Sequence, residues 1–121
     1  MKKFLITFCV VLISSKTFGQ KMAKLNLKDS CIMSGGIITM SDFKKLCKIC
    51  PPEAKKVVSF HVSYPINAPF YGDLPGKGNR YDSKFLNQYA KPGSAMVIEN
   101  INVIDASGKQ IELQRWTLGF K

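Results

Sequence analysis

Apolar and polar residues alternate most regularly over Val57–Tyr64. There Val58, Phe60, Val62 and Tyr64 fall on one side of an extended chain, and Ser59, His61 and Ser63 on the other. A period of two predicts a strand with one face on a core and one more exposed, as in an antiparallel sheet. Pro65 is expected to end it. Upstream, Lys21–Met33 alternates weakly through Ala23, Leu25 and Leu27, which predicts a first strand. Ser34-Gly35-Gly36 is a turn signal, Ile37, Ile38 and Met40 are apolar, and Ser41 is placed to cap a helical turn over Asp42–Leu46. Pro51-Pro52 stops regular structure. Downstream, Asn67–Arg80 (NAPFYGDLPGKGNR) is rich in Gly, Pro and Asn and predicts a long loop of the kind that carries function.

Ser83–Ala90 predicts a short helix, with Ser83 as its N-cap, Phe85, Leu86 and Tyr89 as its apolar stripe, and Lys91-Pro92-Gly93 as its stop. Ala95–Ile104 is β-prone, with Ile101 and Val103 on one face and Asn100 and Asn102 on the other. The Asp105-Ala106-Ser107-Gly108 turn joins it to Ile111–Phe120. The apolar phase moves from Ile111 and Leu113 to Trp116, Leu118 and Phe120, which predicts a bulge near Gln114-Arg115. Several short strands, one short helix and no βαβ alternation point to a mainly β protein, an Ig-like antiparallel β-sandwich with a helical insertion.

The N-terminus adds an address. Met1-Lys2-Lys3 is basic, Phe4–Ile13 is an unbroken apolar run, and Thr17-Phe18-Gly19 places small residues for cleavage before Gln20. Residues 1–19 are therefore expected to be a signal peptide, too short in its apolar part to span a bilayer, and 20–121 a single domain. No later segment is apolar enough to cross a membrane, so the expected location is periplasmic or secreted. Losing Lys2, Lys3 and Lys16 leaves 15 basic against 8 acidic residues, a net charge of +7. In an exported protein nucleic acid is not the expected partner, which leaves acidic envelope polymers, anionic lipid or simple solvation of scattered lysines.

The candidate chemistry is sparse. Cys31, Cys47 and Cys50 are the thiols beyond the signal segment, and in an oxidising compartment such thiols pair. A bond from Cys31 to Cys47 or to Cys50 is the structural expectation. The alternative is a small periplasmic thiol–disulfide protein using Cys47-x-x-Cys50, although Pro51-Pro52 follows at once and no βαβ setting exists. Three thiols with His61 would make four zinc ligands, but nothing in their spacing demands a metal. His61 is the sole histidine; Ser59 or Ser63 with Asp29, Asp73 or Asp105 would complete a triad, yet no nucleophile elbow is present. Gly72–Gly78 imitates a phosphate loop, but its spacing is short and Gly78 stands where a Ser or Thr would hold magnesium. The expectation is no enzyme, no catalytic residues, no cofactor and no metal. Binding is expected through an exposed strand edge and through the 70–80 segment, where Phe70 and Tyr71 offer apolar anchors beside Lys77 and Arg80.

The order of motifs resembles one family. Gly35-Gly36-x-Ile38, then Val58-x-Phe60-x-Val62-Ser63, then Lys91-Pro92-Gly93, then Ile98-Glu99-Asn100-Ile101-x-Val103, then Asp105-x-x-Gly108-Lys109 and a last strand are similar to the C-terminal domain of GldM, the gliding-motility and type IX secretion protein of Bacteroidota. The resemblance covers roughly Ser34–Lys121. It implies a periplasmic Ig-like sandwich that works through protein–protein contacts, with a cell-envelope protein or a second copy as partner and no catalytic residues.

Overall fold

The structure, a computed structural model, describes residues 21–67 and 69–121. The signal-peptide reading of residues 1–19 and the cleavage point before Gln20 lie outside the described residues.

The elements run β1 (Leu25–Asn26), β2 (Cys31–Ile32), β3 (Gly36–Ile38), α1 (Met40–Phe43), β4 (Lys48–Ile49), β5 (Ala54–Asn67), β6 (Phe70–Pro75), α2 (Ser83–Leu86) with a 3-10 turn over Asn87–Tyr89, β7 (Ala95–Asp105), β8 (Gln110–Leu113) and β9 (Trp116–Phe120). The protein is mainly β. The larger sheet has the order β3-β9-β7-β5-β6, and β8 pairs with β7 beyond the end of β9. The smaller sheet is β1-β2-β4. Most neighbours are antiparallel, but β3 runs parallel to β9 and β2 parallel to β4. Both sheets are thus mixed, not wholly antiparallel as expected, because apolar spacing encodes which face is buried and not which way a distant neighbour runs. Two short α-helices are present instead of one.

β5 is longer than its alternation predicts and its phase differs. Phe60, Val62 and Tyr64 are buried as expected, but Val57 is buried while Val58 is 41% exposed. The ladder with β7 explains this: Val57 faces Val103 and Ser59 faces Asn102, so β5 spends an extra residue at Val58. A bulge of this kind reverses the alternation on one side of itself. β7 carries a matching irregularity, where Asn100 takes φ 53° and lets both Met96/Ile98 and Ile101/Val103 face the core. Where a bulge was expected near Gln114-Arg115 the strand instead divides: β8 ends at Leu113 and β9 begins at Trp116, and the step from Ile98 to Ile101 in β7 matches it, so no residue is extra on this side.

The segment read as a loop is partly strand β6, which forms a hairpin with β5 through pairs from His61↔Pro75 to Pro65↔Tyr71. Its glycine and prolines obscured it, and each has a physical place. Gly72 lies opposite Tyr64, whose ring covers it so closely that any Cβ would collide with it. Such covering of a strand glycine by a cross-strand aromatic is a known stabiliser. The Gly76 N–H donates to the Phe60 carbonyl at 2.8 Å, which fixes the phase of the ladder. Pro75 and Pro65 then fall at positions whose N–H would not join it, so neither proline costs a bond there.

The helices differ from expectation at their caps. Thr39 Oγ1, not Ser41, accepts the Asp42 amide at 3.0 Å, and Asp82 Oδ1, not Ser83, accepts the Phe85 amide at 3.0 Å. The predicted α2 stripe holds: Leu86 is buried, and Phe85 and Tyr89 pack on Tyr64 with ring centroids 5.3 and 4.8 Å away.

The β7–β8 turn is organised by one carboxylate. Asp105 Oδ1 accepts the Ser107 hydroxyl at 2.6 Å, the Ser107 amide at 2.9 Å and the Lys109 amide at 3.0 Å. The Ser107 hydroxyl above all, and then the Lys109 amide, hold this carboxyl below its ordinary pKa. A carboxylate with a depressed folded pKa stabilises above the unfolded value and loses that contribution as pH falls through the folded one. Asp105→Ala is therefore expected to lower stability at neutral pH, and the gap from the parent should close in acid below about pH 4. Urea denaturation across that range measures it; a gap that does not change with pH would remove the carboxylate from the explanation.

Candidate functional site

The β5–β6 hairpin carries all four residues singled out for binding, but at opposite ends. Phe70 and Tyr71 open β6, and Lys77 and Arg80 flank the turn beyond it. Six residues lie between Phe70 and Lys77, about 23 Å of chain if extended. The expected single contact surface is therefore two.

The first is the hairpin tip. Ile66 is 53% exposed, Phe70 67% and Tyr71 56%. They are brought together where the β5–β6 register shifts between Pro65 and Asn67. Three large apolar side chains this open on one hairpin end are what a partner's pocket would accept. The sequence pattern marks two of them and not Ile66, because Pro65 is a strand-ending signal and β5 continues past it to Asn67.

β6 also forms an edge of the larger sheet. From the phase set by Gly76, its outward-facing positions are Tyr71, Asp73 and Pro75. Only the first two bring an N–H, and Pro69 precedes the strand. Proline at such an edge limits pairing with a further strand. Side chains at the tip are thus better placed for recognition than backbone is.

The second surface is basic. Lys77 and Arg80 exchange backbone bonds of 2.8 and 3.0 Å across Gly78-Asn79, making a tight turn. Arg80 also bridges Lys48, and the Ile49 amide donates to the Asn79 carbonyl at 2.8 Å. One concavity beside this turn is lined by Leu74, Pro75, Lys77, Arg80, Tyr81 and Asp82. Another, lined by Gly78 and Asn79 of the same turn, also has Lys55 and Lys56 in its lining. The structure thus gathers Lys48, Lys55, Lys56, Lys77 and Arg80 from three parts of the chain. No local pattern signals this, since the spacing between them is long. Among the described residues, no Lys or Arg is paired with a carboxylate.

Cys31 and Cys50 form a disulfide, and Cys47 is a half-buried free thiol. Of the two expected pairings, the structure has the one to Cys50, so Cys47-x-x-Cys50 is not closed on itself. Arg80 Nη1 lies 3.9 Å from the Cys47 sulfur. Tyr81 donates its amide to the Cys47 carbonyl at 3.1 Å. Burial, and then the charge of a Cys47 thiolate, push the Tyr81 phenol well above its ordinary pKa.

His61 Nδ1 and Asp73 Oδ2 are 3.0 Å apart across the hairpin, with both side chains substantially exposed. Asp73 was one of three carboxylates considered for His61; the other two do not bond to it among the described residues. The Ser59 hydroxyl accepts from Asn102 at 3.3 Å, and no serine hydroxyl among the described residues bonds to His61. As it stands the pair links two strands, an exposed contact of small energetic weight.

The chain matches no protein-family model and no curated protein.

Proposed function

We propose that this chain is an exported, non-enzymatic domain of the cell envelope that recognises another protein through the tip of its β5–β6 hairpin. The observation that carries this reading is the joint exposure of Ile66, Phe70 and Tyr71 at one hairpin end, beside a packed core; Met22, Leu27 and Val58 are also exposed, but in other parts of the chain. Apolar and aromatic anchors of this kind supply most of the binding energy when a partner covers them. The Cys31–Cys50 bond supports an oxidising location, the periplasm or outside the cell. The motif order supports kinship with the GldM C-terminal domain and an Ig-like sandwich. Gliding motility or type IX secretion is then the process in which the partner is sought.

Phe70→Ala/Tyr71→Ala is expected to abolish recovery of a defined partner from periplasmic extract, while Lys44→Ala/Lys45→Ala leaves it intact. Each lost anchor costs about 2 kcal/mol, so the pair lowers affinity by about three orders of magnitude. If sedimentation shows a parent dimer that the tip variant converts to monomer, the partner is a second copy. Unchanged recovery and unchanged sedimentation with the tip variant would remove the tip from the mechanism.

A further inference from the structure

The concavity beside the Lys77–Arg80 turn has features that scattered surface lysines do not explain. Lys55 and Lys56 are consecutive in β5, and consecutive strand residues ordinarily point to opposite faces. Here both line one cavity. The register supplies the reason: Ala54 faces Asp105 and Lys56 faces Ile104, so Lys55 is an extra, bulged residue. Bulges re-aim side chains in this way, often beside binding sites. Across the cavity stand Gly78 and Asn79, the two central residues of the turn. Asn79 Nδ2 reaches only the Cys50 sulfur, at 4.0 Å, a weak acceptor that leaves its donors available. Cys50 and Ala54, both half-buried, give the cavity an apolar lining that a ligand can reach, while Ile49 has no exposed surface.

No carboxylate lines this cavity. Glu53, two residues before Lys55, lines a different concavity with Glu112 and Arg115. Lys55 and Lys56 are exposed, and among the described residues no carboxylate pairs with either, so a dianion would meet two free ammonium groups at once. A phosphomonoester carries a charge of about −1.5 to −2 at neutral pH, and its three oxygens accept several hydrogen bonds at once. A carboxylate would neutralise only one lysine. The cavity volume is about 390 Å³, within the range of roughly 300–1,000 Å³ for small-molecule sites and more than a bare phosphate fills. We propose that the cavity between the β5 bulge and the Gly78-Asn79 turn binds an organic phosphomonoester. The phosphoryl group lies between Lys55, Lys56 and the Asn79 amide, and the carbon body lies against Cys50 and Ala54.

The inference does not depend on the hairpin tip, and its test keeps the two apart. Amide-resolved NMR of the isotope-labelled protein is followed during titration with glycerol 3-phosphate, and in parallel with phosphatidylcholine vesicles with and without phosphatidic acid. Saturable shifts centred on Lys55, Lys56, Gly78 and Asn79 are expected. Lys55→Ala/Lys56→Ala should weaken binding by about tenfold or more, since charge-assisted bonds are lost. Lys44→Ala/Lys45→Ala removes the same charge elsewhere and should cost less than about threefold, the share of long-range attraction. The tip variant should bind normally. A response to the soluble ester alone assigns a free ligand, and a response to phosphatidic acid alone assigns a lipid headgroup; either supports the site. Equal weakening in both lysine pairs, or shifts spread over the whole basic surface, would reduce the effect to net charge and overturn it. So would the absence of any shift at Gly78 and Asn79 with both probes.

Discussion

Phe60→Ala is expected to destabilise the domain by about 3–5 kcal/mol, the cost of emptying a fully buried aromatic site. Phe60 has no exposed surface and belongs to the main apolar cluster. Its ring lies against Gly76 so closely that a Cβ there would collide with it, and its carbonyl accepts the Gly76 amide. Truncation therefore leaves a void that backbone on one side cannot close without breaking the hairpin. A domain of this size has about 5–15 kcal/mol in all, so the variant retains a fraction of it. The melting temperature should fall by roughly 15 °C or more. Val58→Ala is the sharp control. Simple alternation puts Val58 on the same face as Phe60, but the bulge turns it outward, and its truncation should change stability by no more than about 0.5 kcal/mol. Urea denaturation of both variants decides the matter; a Val58 cost equal to that of Phe60 would contradict the register.

Loss of the Cys31–Cys50 bond is the second large effect expected. The sequence separation is 19, and closing a loop of that length in the unfolded chain is worth about 3 kcal/mol in the chain-entropy model. The bond matters for a local reason as well. β1, β2 and β4 are two residues long each, and strands this short do not hold together by pairing alone. Cys31→Ala/Cys50→Ala should thus lower global stability and speed amide exchange at Ile32 and Ile49 more than elsewhere. Cys47→Ser should leave both within about 0.5 kcal/mol of the parent. Peptide mapping without reduction should recover Cys31 joined to Cys50. A Cys47–Cys50 bridge instead would revive the thiol–disulfide reading and overturn the stability prediction together.

The parts of this fold legible in the sequence are those decided over short distances. The α2 stripe of Phe85, Leu86 and Tyr89 and the Asp105–Gly108 turn both rest on neighbours within a few residues. The burial of Val57 in place of Val58 was not legible, because an extra residue in one strand is visible only against its partner. β6 was hidden by Gly72 and Pro75, which read as loop signals until Tyr64 and the ladder phase give each a place. The parallel partners β3 and β9 carry no directional mark in their residues. For the candidate surfaces the division is the same. Phe70 and Tyr71 stand out in sequence because a polar segment surrounds them. The lysine pair at 55–56 is unremarkable until a bulge and a turn far along the chain enclose one space.

The parallel pairing of β3 with β9 has a consequence for how the molecule comes into being. Gly36 sits beside Leu118, and Ile38 beside Phe120. The first strand of the larger sheet in chain order thus docks on β9, past all the intervening strands of that sheet. Contacts this remote in sequence close late, because the intervening chain must be ordered first. A chain delivered N-terminus first holds Ile38, a core residue, without its β9 partner until every other strand of that sheet has emerged. Closure of the larger sheet therefore waits for β9, and the topology itself keeps the β3 edge unpaired until then.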